Sequence, residues 1–248
     1  MPHFFINSTS AADGLVKITD AENYKHIAKS LRARVGEGLL LIDENRMQYE
    51  TIIKDISSKE IVCEIKQSYI SQRDLDFNLF LVQSPLRSDA QNFIVEKATE
   101  LGVRAVFPVV TDNCALNFST VEKKIDRWNR IMYEASKQCE RAVIPYCEFV
   151  LGLENIMKKA QNGKVIAFCE RRATKTIRDF FKETPVKAGE NLYVIIGPEG
   201  GFSEMEFEFM EENSIPMLTL GDLILKAETA VTVALGNIIY EYENFGKN

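Results

Sequence analysis

From Phe77 onward the apolar residues change their period, and no other property of the chain constrains its fold so tightly. Short runs suited to strands buried on both faces alternate with stretches of helical spacing: FNLFLVQ over 77–83, VRAVFPVV over 103–110, VIAFCE over 165–170, LYVIIG over 192–197 and PMLTLG over 216–221. Between the first two, Asp89 to Leu101 reads as a helix, with Ala90, Ile94, Ala98 and Leu101 on one face and Gly102 at its end. A longer helical stretch, Ser119 to Arg141, carries Trp128, Ile131, Met132 and Ala135 on its buried side. Regular alternation of strand and helix calls for a mostly parallel sheet covered on both faces, because a parallel connection needs a crossover long enough to hold a helix.

Before Phe77 the period is two. Gly38 to Ile42, Tyr49 to Ile53 and Ile61 to Ile65 read as half-buried strands, with a turn at Asp43-Glu44-Asn45. Asp20 to Arg34 is the exception, a helix with Tyr24, Ile27 and Leu31 at spacings of three and four and Asp20 as its cap. Gln67 to Asp76 reads as a linker. The 248 residues therefore suit an α+β two-domain chain, a small strand barrel or sheet over 1–72 and a larger α/β domain over 73–248.

Several chemistries are disfavoured. Cys63, Cys114, Cys139, Cys147 and Cys169 are odd in number, with no C-x-x-C pair and no histidine at ligand spacing, so neither a zinc site nor a disulfide framework is expected. The two histidines, His3 and His26, leave little room for hydrolysis built on an imidazole base. No apolar run approaches the roughly 20 residues that span a bilayer, and MPHFFINSTS does not read as a leader, so a cytoplasmic protein with no membrane partner is expected. A net charge of −6 argues against a general nucleic-acid binder.

Three segments can carry chemistry. Ile195-Ile196-Gly197-Pro198-Glu199-Gly200-Gly201-Phe202-Ser203-Glu204-Met205-Glu206 is a strand, a glycine-rich turn and a helix start, with Ser203 and Glu206 at capping-box spacing. It matches neither G-x-G-x-x-G nor a P-loop, and Glu204, Glu206 and Glu208 would repel a pyrophosphate, so a ligand neutral or cationic at its reacting end fits. A tight turn without a ligand is the alternative. Leu218 to Ala230 repeats the pattern and leads into a helix whose Ala227, Ala230, Val231, Ala234, Leu235 and Ile238 share a face suited to core packing or to a subunit interface. With Glu170 as a third strand end, these segments would line one crevice at the carboxyl edge of a parallel sheet. The third feature is basic: Lys123, Arg127, Arg130, Lys137 and Arg141 recur along one helix, with Arg171, Arg172 and Lys175 after a strand end and Lys29, Arg32 and Arg34 in the small domain. Such residues form either a solvated face or a phosphate-tracking surface.

Dispersed stretches across both domains, MPHFFI, HIAKSLRARVGE, EKATELGV with FPVVT, RWNRIMYEASKQCERAVIP, IGPEGGFSEMEFE and LGDLILKAETAVTVAL, resemble the bacterial small-subunit ribosomal RNA uridine-N3 methyltransferases of the SPOUT, or α/β-knot, superfamily. The resemblance implies a PUA-like β-barrel that helps to bind RNA, a C-terminal domain with a deep trefoil knot, S-adenosylmethionine as methyl donor, and a homodimer acting on ribosomal RNA or the small subunit without a metal. It implies a donor pocket of Phe168, Cys169, Glu170, Ile196, Gly197, Pro198, Glu199, Gly200, Gly201, Leu218, Leu220, Gly221, Ile224, Leu225 and Ala230. RNA would be met by Lys29, Arg32, Arg34, Arg127, Arg130, Gln138, Arg171 and Arg172, of which Gln138, with Arg141, matches the family's EAxxQxxR.

The chain departs from the family where Lys226 replaces an arginine fork by a point charge and where Asn113 replaces an arginine, and Arg87 is the nearest basic residue to the lysine expected after the first knot-domain strand. Uracil N3 carries a proton that must leave as the methyl arrives. Arg141 and then Lys226 are the candidates to stabilise the uracil anion, and Glu228 is the candidate to accept the proton. The competing readings are an RNA-binding protein of the same fold without turnover and a methyltransferase acting on transfer RNA or a small molecule. Residues 1–198 hold 28 basic and 26 acidic side chains, whereas residues 199–243 hold ten acids against Lys226, so the acidity is confined to the last two strand-helix units.

Overall fold

The computed structural model of the chain describes residues 1–173 and 175–245. It comprises two units, Met1–Asp74 with Ser136–Val143, and Leu75–Ala135 with the chain from Ile144 on. In the first unit β1 (His3–Phe5), β2 (Ala11–Ala12), β3 (Leu15–Ile18), β4 (Gly38–Ile42), β5 (Met47–Ile56) and β6 (Ile61–Ile70) form one sheet in the order β1-β4-β5-β6-β3-β2. Neighbours are antiparallel except β1 and β4. Its core gathers the inward residues Phe4, Val16, Ile18, Leu39, Leu41, Ile53 and Ile61 around Ile27.

Two elements of this unit differ from the sequence reading. Gln67–Ile70 is strand rather than linker, paired with Met47–Glu50. All four residues are exposed, so the backbone ladder and the Tyr69 hydroxyl, which accepts from the Gln48 amide and donates to Glu50, hold them, and no apolar alternation marks them. Helix α1 (Ala21–Tyr24) starts where Asp20 accepts the Asn23 N–H at 2.8 Å, continues as a wider π-type turn over Lys25–Ser30, and stops before Arg32, whose φ is +52°. The expected helix to Arg34 is therefore cut short, and Leu31 is exposed.

The second unit is a seven-stranded sheet in which every hydrogen-bonded neighbour is parallel. Its elements are β7 (Asn78–Gln83), α2 (Ser88–Glu100), β8 (Ala105–Pro108), α3 (Phe118–Glu122), α4 (Ile125–Gln138), β9 (Tyr146–Cys147), α5 (Gly152–Lys159), β10 (Lys164–Phe168), β11 (Lys175–Thr176), α6 (Ile177–Glu183), β12 (Asn191–Ile196), α7 (Glu204–Glu212), β13 (Met217–Thr219) and α8 (Ala227–Phe245). Strand order is β11-β13-β10-β12-β7-β8-β9.

Period-two alternation sorts the strands into two cores. Leu192, Val194 and Ile196 of β12 join one cluster with Leu79, Leu81, Trp128 and the Ala230, Ala234 and Ile238 face of α8. Tyr193 and Ile195 join the other with Val82, Ala167, Ile156 and Met210. Each fully buried large aliphatic side chain contributes about 1.5–3 kcal/mol of transfer free energy. The long helix expected over 119–141 is two helices, since α3, capped by Asn117, closes with a tight bond from the Lys124 N–H to the Val121 carbonyl at 2.9 Å. The segment Ser136–Val143, which the sequence places with the α/β domain, packs with the first unit.

Gly102 ends α2 at φ +81°, and a Cβ there would come within 2.8 Å of the Leu75 side chain. Gly102→Ala is expected to cost about 1–3 kcal/mol of stability, read as a lower urea midpoint with an unchanged slope.

Candidate functional site

Phe168 of β10 pairs with Ile196 of β12 on one side and with Leu218 of β13 on the other, so three neighbouring parallel strands end at one level. The segments that follow them wall a cavity of about 680 Å3. Of the donor-pocket residues expected from the sequence, all but Gly221 line it: Phe168, Cys169, Glu170, Ile196, Gly197, Pro198, Glu199, Gly200, Gly201, Leu218, Leu220, Ile224, Leu225 and Ala230. Gly221 sits one step back in a turn closed by Thr219, whose hydroxyl oxygen accepts the Gly221 N–H at 3.0 Å. Ala90, Phe202, Phe207 and Ala227 also line the cavity. The sequence reading missed them, although the apolar helix face it drew at Ala90 and Ala227 pointed to two.

The local sequence explains these walls. Ser203 caps α7 reciprocally: its side chain accepts the Glu206 N–H at 3.2 Å, and the Glu206 carboxylate accepts the Ser203 N–H at 2.8 Å. This fixes where the glycine-rich loop must end. On the opposite wall Leu218 is fully buried while Ile224 is 72% exposed, so the segment climbs from core to rim within a few residues.

Glu170, Glu199, Glu204 and Glu228 supply carboxylates to the lining, and Arg171, Arg172 and Lys226 supply cations. Arg172 is engaged: its guanidinium donates to Glu204, lies 3.7 Å from Glu211 and stacks 4.4 Å over the Phe207 ring. Among the described residues, no ion pair joins Arg171, Lys226, Glu170, Glu199 or Glu228, which leaves three free carboxylates against two free cations. The field inside favours a cation and disfavours a polyphosphate. Burial, with Glu170 adding to it, pushes the Cys169 thiol up to about 12, so it lines the cavity as a neutral group.

Of the three catalytic candidates, Lys226 and Glu228 reach the cavity, Lys226 exposed and Glu228 half-buried in the first turn of α8. Arg141 does not. It belongs to the first unit, is 4% exposed, and donates to both carboxylate oxygens of Asp74 at 2.9 and 3.2 Å. Asp74 is itself buried, and a buried carboxylate holds its guanidinium partner tightly. Of the RNA candidates, Lys29, Arg32, Arg34, Arg127, Arg130, Gln138 and Arg171 are exposed. Lys29, Arg32 and Arg34 follow one another around the turn that ends the first unit's helix, and Arg127 and Arg130 share α4. Arg172 is committed to α7.

Comparison with known proteins gives a consistent result. A family model described as an RNA methyltransferase domain matches residues 73–239, and one described as an RNA methyltransferase PUA domain matches 18–66. The ribosomal RNA small subunit methyltransferase E of Bacillus subtilis is 26% identical over 227 residues, 90% of this chain and 89% of the relative. That of Mesomycoplasma hyopneumoniae is 27% identical over 240 residues, 96% of this chain and 99% of the relative. Among solved structures, the ribosomal RNA small subunit methyltransferase E from Neisseria gonorrhoeae bound to S-adenosyl methionine superposes with a TM-score of 0.83 at 25% identity, covering 97% of both chains.

The Arg141–Asp74 pair has a measurable consequence. Asp74→Ala leaves a guanidinium buried without its carboxylate and is expected to lower unfolding stability by about 3–5 kcal/mol in chemical denaturation. A loss under about 1 kcal/mol would return Arg141 to the list of groups available for chemistry.

Proposed function

The chain belongs to the RNA methyltransferase family, and from that membership we propose that it transfers a methyl group from S-adenosylmethionine to N3 of a uridine in small-subunit ribosomal RNA. One observation carries the reading: three in-register strand ends, separated in sequence, converge on one cavity whose lining is apolar, acidic on balance and free of a phosphate-binding motif. S-adenosylmethionine fits those walls, since it has no phosphate and brings its methyl group on a sulfonium cation.

Phe168, Ile196, Leu218, Leu220, Leu225 and Ala230 offer the donor its apolar wall, and the glycine-rich loop 197–201 offers backbone without side-chain bulk. Glu228 accepts the N3 proton of the target uracil. Lys226, two residues away at the rim, holds the charge that develops on the uracil oxygens, a role in which a point cation serves without a fork. Cys169 takes no covalent part, because a thiol held near 12 presents almost no thiolate to attack a pyrimidine ring. The uracil enters unstacked, from an unpaired or splayed stretch of RNA.

Residues 1–72 act as the RNA-binding domain and 73–248 as the methyltransferase domain. Lys29, Arg32, Arg34, Arg127, Arg130, Gln138 and Arg171 are the RNA contacts, and their exposure supports that assignment. The finer fold assignments belong to the same reading: the first unit is a PUA-like barrel and the second carries a deep trefoil knot. Supporting the knot, β13 pairs with β10 on one side and β11 on the other, so the connection from β10 to β11 bridges the strand between them, and the chain leaving β13 for α8 must pass that bridge. The enzyme works as a homodimer in the cytoplasm. Leu223 and Ile224, 78% and 72% exposed beside the cavity, supply apolar surface that a second copy covers, and among the described residues no helix is long and apolar enough to cross a membrane.

Labelled S-adenosylmethionine and undermodified small subunits test the reading: label should appear at N3 of a uridine, and donor binding without transfer would sink the enzyme assignment in favour of an RNA-binding role. Label in transfer RNA or free nucleosides instead would reassign the substrate. Glu228→Gln is expected to lower the rate of transfer at saturating donor by about 100-fold, measured by single-turnover transfer.

A further inference from the structure

The glycine-rich loop is held in place from outside the cavity. Asn113, in the turn after β8, donates from its side-chain amide to the carbonyl oxygens of Gly201 at 3.1 Å and Gly200 at 3.4 Å. Asp112 adds two bonds: its backbone N–H donates to Glu206 Oε1 at 3.0 Å, and its carboxylate accepts the Ser203 hydroxyl at 2.5 Å. The turn itself is closed by the Cys114 N–H on the Thr111 carbonyl at 3.0 Å. Contact reinforces the bonds, since a Cβ on Gly200 would lie 2.9 Å from the Asn113 Cβ. The absent side chain at Gly200 thus makes room for a neighbouring residue. Gly200, Gly201 and Glu204 line the cavity, whereas Asp112 and Asn113 do not.

We propose that Asn113 is a positioning residue for donor binding, one that sets the glycine-rich wall of the cavity without touching what the cavity holds. The proposal rests on the reading of the cavity as the S-adenosylmethionine site. A peptide unit is planar, so a carbonyl turned toward Asn113 turns the following N–H away from it. Anchoring the Gly201 carbonyl therefore fixes the facing of the Phe202 N–H, and Phe202 is part of the lining. Glycines left without such an anchor would sample several backbone conformations, and a ligand would have to order them on binding. The short side-chain amide of Asn113 meets two adjacent carbonyls of this loop at once.

Calorimetric titration of the full-length protein with S-adenosylmethionine and, separately, with uncharged S-adenosylhomocysteine tests this. If the wild type binds neither, the cavity reading fails before this assignment is reached. Given binding, Asn113→Ala and the isosteric Asn113→Asp should each weaken both ligands by about three- to tenfold, with Asp the worse because a carboxylate oxygen facing two carbonyl oxygens repels them. KM for the donor should rise by the same factor, with kcat at saturating donor within about twofold. Thermal melts matching the wild type keep the comparison on folded protein. Wild-type affinity in Asn113→Asp would show that the amide bonds do nothing. A gain confined to the cationic donor would show that charge rather than position is at work. Either result overturns the proposal. Gly200→Ala should also weaken binding, and pairing it with Asn113→Gly should bind no worse than Asn113→Gly alone; additive losses would overturn the contact.

Discussion

The level pairing of Phe168 with both Ile196 and Leu218 is the constraint on which the rest of the second unit depends. Parallel strands deliver their carboxyl ends to one edge, but only a shared register brings those ends to one height. Because side chains alternate across the sheet, a slip of one residue in β10 would exchange the faces of Ile166 and Ala167 and carry Phe168 and Cys169 to opposite sides. The two hydrophobic clusters forbid that slip. Core packing far from the cavity thus fixes the geometry of the cavity, and the loops need only bring suitable side chains.

Those loops divide the chemistry. The one after β12 offers backbone and acids, the one after β13 offers apolar side chains with Lys226 and Glu228, and the one after β10 offers Glu170 and two arginines. Arg172 blurs the sequence-level separation of charge. It belongs to the more basic part of the chain, yet it reaches Glu204 and Glu211 on the acidic helix and rests on Phe207, tying two walls together. The resulting interior carries a modest acidic excess, which favours a cationic group.

Much of this was legible in the residues. The change of period at Phe77, the Asp20 cap and the Ser203 capping box are local signals, and the structure places each where the spacing put it. The strand ends at Glu170, Ile196 and Leu218 were legible from the apolar runs that precede them, whereas the full set of cavity residues came from the family resemblance, and all of that set but Gly221 lines the cavity. What escaped depends on distant partners. By spacing alone Arg141 extends the helical row of Arg127 and Arg130, yet α4 ends at Gln138, and nothing in the spacing reveals that a buried carboxylate at Asp74 claims it. Gln67–Ile70 carries no apolar pattern because its strand has two exposed faces. Asn113 read as a lost arginine, and only its contacts with Gly200 and Gly201 reveal what the shorter side chain does.

The position of β13 also bears on the birth of the protein. It lies between β10 and β11, which precede it in the chain, so the sheet cannot be completed until residue 219 has left the ribosome. Until then β10 lacks its partner on one side, and the edge strand β11, whose one pairing is with β13, has no place in the sheet. The last strand to be made is thus the one that joins the edge of the sheet to its centre, a non-local pairing that comes late in folding.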